Sequence, residues 1–195
     1  MNESEARMYN QAIAFAADAH VGQFRKYTGE PYVLHPIEVA EILRRHDRPA
    51  CEIVGGVLHD VVEDTNRTLK QVKFHFGTVV GDLVDGVTNV AEDKRVPRVE
   101  RFWQNVAHLE SQSEGSHNIK CADIISNMKN FPKDNESSLV NYSAEKMIVL
   151  EHLLLADSNL ILEAQEIILN NLTGLHSEYR HQRSIIENAR PQSLR

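Results

Sequence analysis

Apolar positions recur at three- and four-residue intervals along almost the whole chain, the period of one face of a helix. Met8, Ala12, Phe15, Ala16 and Ala19 form such a stripe between Glu5 and His20. A loop from His20 to Pro31 carries Gly22, Arg25, Lys26 and Gly29. Pro36 fits the first turn of a helix, where its missing N–H costs nothing, and Ile37, Val39, Ala40, Ile42 and Leu43 continue it. His35 therefore stands at that helix's mouth. After Asp47-Arg48-Pro49, the segment Ala50 to Val62 is the most apolar and predicts a central core helix, with His59, Asp60, Glu63 and Asp64 at its C-terminal end.

Further along, Thr68 and Gln71 have the spacing of a capping box, with Phe74 and Phe76 as expected core residues. Gly77 to Asn89 reads as a helix through Val79, Val80, Leu83, Val84 and Val87. A charged loop over 91–98 contains Pro97, and a helix follows from Val99 to Leu109. Ser111 to Ser116 reads as a linker or cap. Ile119, Ala122, Ile125 and Met128 form the next stripe, with Asp123 and Asn127 together beside it. Two closing helices are expected over Leu139 to Leu155 and Leu160 to Leu169, and residues 181–195 as a polar, frayed tail. No segment reads as a strand and no repeat is found. The expectation is one compact all-α domain over residues 1–180.

Composition narrows the class. At 195 residues, with 42% hydrophobic and 25% charged positions, the chain is ordinary for a globular domain. The formal net charge of −7 argues against nucleic acid, which needs a basic excess or stripe. The small clusters Arg25-Lys26 and Arg44-Arg45 suit the phosphates of a small metabolite instead. Cys51 and Cys121 read as buried small hydrophobes and cannot form a zinc knuckle. The acidic N-terminus is not a secretory signal, and no apolar run is long enough for a membrane span. The expected location is the cytoplasm.

The chemistry concentrates around His59 and Asp60. An aspartate in so apolar a helix calls for a partner or a metal. Glu63 and Asp64 follow at four-residue intervals, which on a helix places each pair on one face. Three carboxylates then crowd a helix C-terminus, where the dipole disfavours negative charge, and a bound cation offsets that repulsion. A carbonyl bond for His59 and an arginine partner for Asp60 remain the structural alternative. With His35 and Asp123 added, two imidazoles and two carboxylates suit Mn, Zn, Fe or Co.

The stretches ArgLysTyrThrGlyGluProTyrValLeuHisPro (25–36), LeuHisAspValValGluAspThr (58–65), PheGly (76–77), ValThr (87–88) and LysCysAlaAspIleIleSerAsn (120–127) give the chain a recognisable likeness. It resembles the HD-domain metal-dependent phosphohydrolases, and within them the hydrolase half of RelA/SpoT-type proteins and the stand-alone small alarmone hydrolases. The resemblance implies an all-α HD-domain fold and the metal ligands His35, His59, Asp60 and Asp123, usually with manganese. It places Glu63 and Asp64 near the attacking water, Arg25 and Lys26 in the nucleotide pocket and Asn127 at the ribose. The implied substrate is a guanosine polyphosphate, ppGpp or pppGpp, cut to GDP or GTP plus pyrophosphate. Departures are Asn89-Val90 after ValThr, a less basic 101–115 region, Cys121 where leucine is common and Ser126 where tyrosine is common.

These departures bear on substrate identity more than on catalysis. The alternatives are a nucleotidase or phosphodiesterase for another nucleotide, and a non-catalytic nucleotide-binding module. No synthetase or regulatory domain is expected after Arg195. Leu150, Leu153, Leu154 and Leu155 leave open burial against the core or against a second copy in a homo-oligomer.

Overall fold

The computed structural model describes residues 1–91 and 93–194. Residue 92, inside the expected loop, and residue 195, at the end of the expected tail, lie outside the described residues. Among the described residues the chain is all-α, with one isolated bridge between Phe24 and Pro31 and no sheet.

The helices are α1 (Glu3–Ala19), α2 (Leu34–Arg45), α3 (Ala50–Leu58), α4 (Val61–Asp64), α5 (Leu69–Val87), α6 (Arg98–Glu110), α7 (Glu114–Lys129), α8 (Glu136–His152), α9 (Ser158–Asn171) and α10 (His176–Asn188), followed by a 3₁₀ turn (Gln192–Leu194). Side chains cap several starts. Asn2 and Glu5 form a reciprocal capping box on α1, Thr68 and Gln71 do so on α5, and Ser113 caps α7, satisfying backbone donors that have no partner within the helix.

The centre of the fold is α3 crossed by α7. Every residue of α3 from Glu52 to Leu58 is buried, and α7 is buried on nearly all sides, against α2, α3, α5 and α9. Two glycines permit the close crossing. A Cβ on Gly55 would stand 2.8 Å from Ile119 Cδ1 of α7, and one on Gly56 2.7 Å from Leu43 Cδ1 of α2, distances at which carbon atoms repel. The core helix expected over 50–62 is divided: α3 ends at Leu58, α4 begins at Val61, and His59 and Asp60 form the joint. Asp64 N–H still donates to Asp60 C=O at 2.8 Å, so the two acids remain one turn apart.

Two further expectations are corrected. Phe74 and Val79, expected in the core, are 83% and 64% exposed, whereas Phe76 and Val80 are buried. Val72, Phe76, Val80 and Val84 follow one another at four-residue intervals and are buried, so Phe74, two residues from Phe76, and Val79, one before Val80, point off that face. The polar segment from residue 181 is not a frayed tail. Its first part, residues 181–188, belongs to α10, which packs on α8, buries Tyr179 and Ile186, and accepts at the Ile186 carbonyl a hydrogen bond from Trp103 Nε1 (3.1 Å). Arg183 holds it to Glu151 of α8 (2.6 Å). Of the four leucines near the end of α8, Leu150 and Leu153 enter the core, while Leu154 and Leu155 face outward.

Candidate metal centre

Three helical segments bring His35, His59 and Asp123 to one buried point: the first turn of α2, the joint after α3, and the middle of α7. One ligand atom from each lies within 4.8 Å of the others. Each imidazole is fixed by its Nδ1. His59 Nδ1 lies 2.8 Å from the Gly56 carbonyl, which can only accept, so Nδ1 carries the proton. Ser126 Oγ donates to Glu38 Oε2 (2.7 Å), so His35 Nδ1–H donates to Ser126 Oγ (2.9 Å). In both neutral rings the Nε2 lone pair is then free.

Those lone pairs face carboxylates. His35 Nε2 is 3.2 Å from Asp123 Oδ1 and 3.6 Å from Asp60 Oδ2. His59 Nε2 is 3.1 Å from Asp60 Oδ2 and 3.7 Å from Asp123 Oδ1, and is buried without a hydrogen-bond partner. Two lone pairs beside two carboxylates require positive charge between them. The protonation balance says the same: burial opposes an imidazolium at His59, but Asp60 and Asp123 override it and lift its pKa to about 10. Burial also opposes charge on Asp60 and Asp123, yet His59 holds Asp60, and Lys120 with the two histidines holds Asp123, below the ordinary carboxylate range. The donor set fits a divalent cation of borderline softness.

The remaining expected residues surround this point. Asp60 Oδ2 accepts from Tyr32 Oη (2.7 Å), which also lies 3.1 Å from Asp64 Oδ2. Burial, then the nearby charges of Asp60 and Glu63, raise the pKa of Asp64. Glu63 accepts from Asn89 Nδ2 (2.6 Å) and Asn89 N–H (3.1 Å). Asp123 accepts from Lys120 Nζ (3.0 Å) and Asn127 Nδ2 (2.5 Å). Arg25 reaches Asn127 Oδ1 and Glu38 Oε2, each at 3.4 Å, whereas Lys26 is exposed and lies over the Tyr27 ring. Gln23 Nε2 donates to the Asp64 carbonyl (2.8 Å) and so docks the Arg25-Lys26 loop beside α4.

Two cavities open beside the centre. One, of about 370 Å³, is lined by Arg25, Lys26, Tyr32, His35 and Asn127 and by an aromatic wall of Tyr27, Phe131 and Tyr142, the last two stacked at 4.8 Å. The other, of about 250 Å³, is lined by Thr88, Asn89, Arg101, Lys120 and Lys146. Arg98 and Glu145 line both. Burial, then the neighbouring Lys120 charge, lower the pKa of Lys146.

Sequence reasoning missed Tyr32, Lys120, Ser126 as a histidine support, Asn89 as the Glu63 partner, and Lys146. Lys120 and Ser126 had a signal, each standing one helical turn from Asp123. Asn89 and Ser126 are also two of the departures from the family pattern, and each has a local partner at the site.

The sequence matches the family model of the HD domain over residues 12–149, well over half of the chain. The guanosine-3′,5′-bis(diphosphate) 3′-pyrophosphohydrolase MESH1 of Mus musculus is 42% identical over 130 residues, spanning 65% of this chain and 70% of that protein. MESH1 of Danio rerio is 34% identical over 151 residues, spanning 75% and 80%. The guanosine-3′,5′-bis(diphosphate) 3′-pyrophosphohydrolase of Vibrio cholerae is 35% identical over 133 residues, which are 66% of this chain and 19% of that protein. A solved structure of a metazoan ortholog of SpoT that hydrolyzes ppGpp superimposes with a TM-score of 0.74 at 29% identity, covering 84% of this chain and 94% of that one. Sequence and fold thus agree with the histidine–aspartate centre: the chain belongs to the HD-domain family and is a homologue of the MESH1/SpoT-type (p)ppGpp hydrolases.

Proposed function

We propose that the protein hydrolyses the 3′-pyrophosphate of ppGpp or pppGpp, releasing pyrophosphate and GDP or GTP. The observation that carries this reading is the buried His35–His59–Asp123 donor set opening on a cleft whose walls bear Arg25, Lys26, Lys120 and Lys146. The likeness to MESH1 along most of both chains supports it.

His35, His59, Asp60 and Asp123 hold the cation, manganese by family habit. When bound, such an ion supplies Lewis-acid charge to a phosphoryl oxygen and lowers the pKa of a water. Ser126 and the Gly56 carbonyl orient the two imidazoles. Water oxygen bonds to the phosphorus attached to the ribose 3′ oxygen, the P–O3′ bond breaks, and the 3′ oxygen takes up a proton. Asp64 accepts the proton of the attacking water, since its raised pKa makes it a stronger base than an ordinary aspartate. Glu63, held by Asn89, orients that water. Tyr32 keeps Asp60 and Asp64 in register. Arg25 and Lys26 hold the 3′-pyrophosphate, the aromatic wall takes the guanine, Asn127 the ribose, and the lysine-lined cavity the 5′ phosphates.

Product analysis of manganese-loaded protein with ppGpp, beside a panel of other nucleotides, tests the reading. Pyrophosphate and GDP in equal amounts are expected. Orthophosphate release, or faster cleavage of another nucleotide, would assign the site to a different phosphohydrolase reaction. Tight ppGpp binding with no turnover in any metal would make it a sensor.

A further inference from the structure

The two cavities differ in shape and lining, yet among the described residues they share Arg98 and Glu145 and nothing else. These two side chains are joined by a two-pronged ion pair, Nη1 to Oε1 at 2.5 Å and Nη2 to Oε2 at 2.9 Å. Arg98 opens α6 and its side chain is 74% exposed; Glu145 lies within α8 and its side chain is 12% exposed. One partner is open to solvent and the other is largely covered.

The charge pattern around the pair is uneven. Arg25 and Lys26 line one cavity, and Arg101, Lys120 and Lys146 the other, while Glu145 is the one carboxylate among the described residues lining either. It therefore stands at the midpoint of an otherwise cationic cleft. A ligand with negative charge in both cavities must pass this carboxylate. Repulsion there is small only while Arg98 neutralises Glu145, but the same guanidinium is the group best placed to grip a phosphate. Solvent screens the exposed guanidinium side of this pair, and a phosphoryl group offers a guanidinium fork more charge than one carboxylate does.

We infer that Arg98 and Glu145 form a latch between the cavities: the Arg98 guanidinium is shared between Glu145 and the phosphoryl group of a polyphosphorylated nucleotide spanning the cleft. Glu145 then acts through Arg98 as a specificity-determining positioning residue, setting how strongly the cleft attracts polyanions. The inference deepens the proposed function and rests on it for the identity of the nucleotide, though its electrostatics can be read with a simpler anion.

The test compares Glu145→Gln, Arg98→Gln and Arg98→Lys with the parent. Binding of inorganic pyrophosphate is measured by calorimetry, and kcat and KM for ppGpp are measured alongside. The latch predicts effects of opposite sign. Glu145→Gln frees Arg98 and tightens pyrophosphate roughly three- to tenfold, whereas Arg98→Gln weakens it by a similar factor, and Arg98→Lys, which keeps the charge without the fork, falls between. KM for ppGpp moves in the same directions, with a smaller change in kcat. A pair that merely braces α6 against α8 predicts the same sign for both glutamine variants, because either one breaks the brace. Weaker pyrophosphate binding in both, or no change in either, overturns the latch. If the parent leaves ppGpp intact, the proposed substrate fails, while the pyrophosphate measurement still decides the latch.

Discussion

Replacing Ser126 by alanine isolates the support of one imidazole. Its hydroxyl makes two bonds, accepting from His35 Nδ1 at 2.9 Å and donating to Glu38 Oε2 at 2.7 Å. Glu38 keeps Asn130 (3.1 Å) and Arg25 (3.4 Å) as donors, so the loss falls on His35. Ser126 is fully buried and a methyl group leaves little room for a replacing water. An unsatisfied buried N–H costs about 1–3 kcal/mol, and the ring escapes that cost by moving its proton to Nε2. That tautomer blocks the lone pair facing Asp123. Loss of such supports typically weakens metal binding by about 10–100-fold, equivalent to about 1.4–2.8 kcal/mol. Calorimetric titration of metal-stripped protein with manganese reads this directly, with circular dichroism confirming the helical fold. Parental affinity in a folded Ser126→Ala protein would refute the argument that Ser126 sets the His35 tautomer.

Other perturbations have definite outcomes. Asp60→Asn and Asp123→Ala each remove a charge from the cation site and should abolish ppGpp turnover without loss of far-ultraviolet helicity; parental turnover in either, with metal supplied, contradicts the ligand assignment. Burial resists charge on Glu163, but Arg45, His46 and Lys129 lower its pKa to about 2. A group depressed from 4.5 to about 2 contributes stability fully above pH 4.5 and loses it as pH falls towards 2, so the stability gap between parent and Glu163→Gln should close over that window in acid denaturation. Gly56→Ala puts a methyl group 2.7 Å from Leu43 Cδ1 and 3.4 Å from the Ala40 backbone; overpacking of this kind costs about 1–3 kcal/mol, seen as a lower urea midpoint with unchanged slope. Deleting residues 181–195 removes the Ile186 carbonyl from Trp103 of α6 and Arg183 from Glu151 of α8 and should lower the melting temperature by several degrees, whereas a frayed tail would be lost without effect.

Most helices were legible because a single apolar stripe runs along each, and the candidate ligands because they lie in short, specific stretches such as 58–65. What stayed hidden arose from events that leave no periodic trace. Phe74 and Val79 read as core although they face outward, because an apolar residue beside the buried Val72–Phe76–Val80 row carries no mark of which way it points. In α10, two buried apolar residues and one arginine anchor a helix that is otherwise polar, too few to form a stripe. His35 and Ser126 are 91 positions apart, and Arg98 and Glu145 are 47 apart. Such pairings follow from how helices cross, and composition is silent about them.

The crossing of α3 with α2 and α7 has a thermodynamic corollary. Each of those helices supplies or anchors a ligand, so no short peptide from this chain contains the whole donor set, and the unfolded state has little affinity for the ion. Cation binding therefore acts as a fastener on tertiary structure, adding about 2.7 kcal/mol of stability at a free concentration one hundred times the dissociation constant. A melting curve recorded across a series of divalent ions would rank their fit to the crossing before any substrate is in hand.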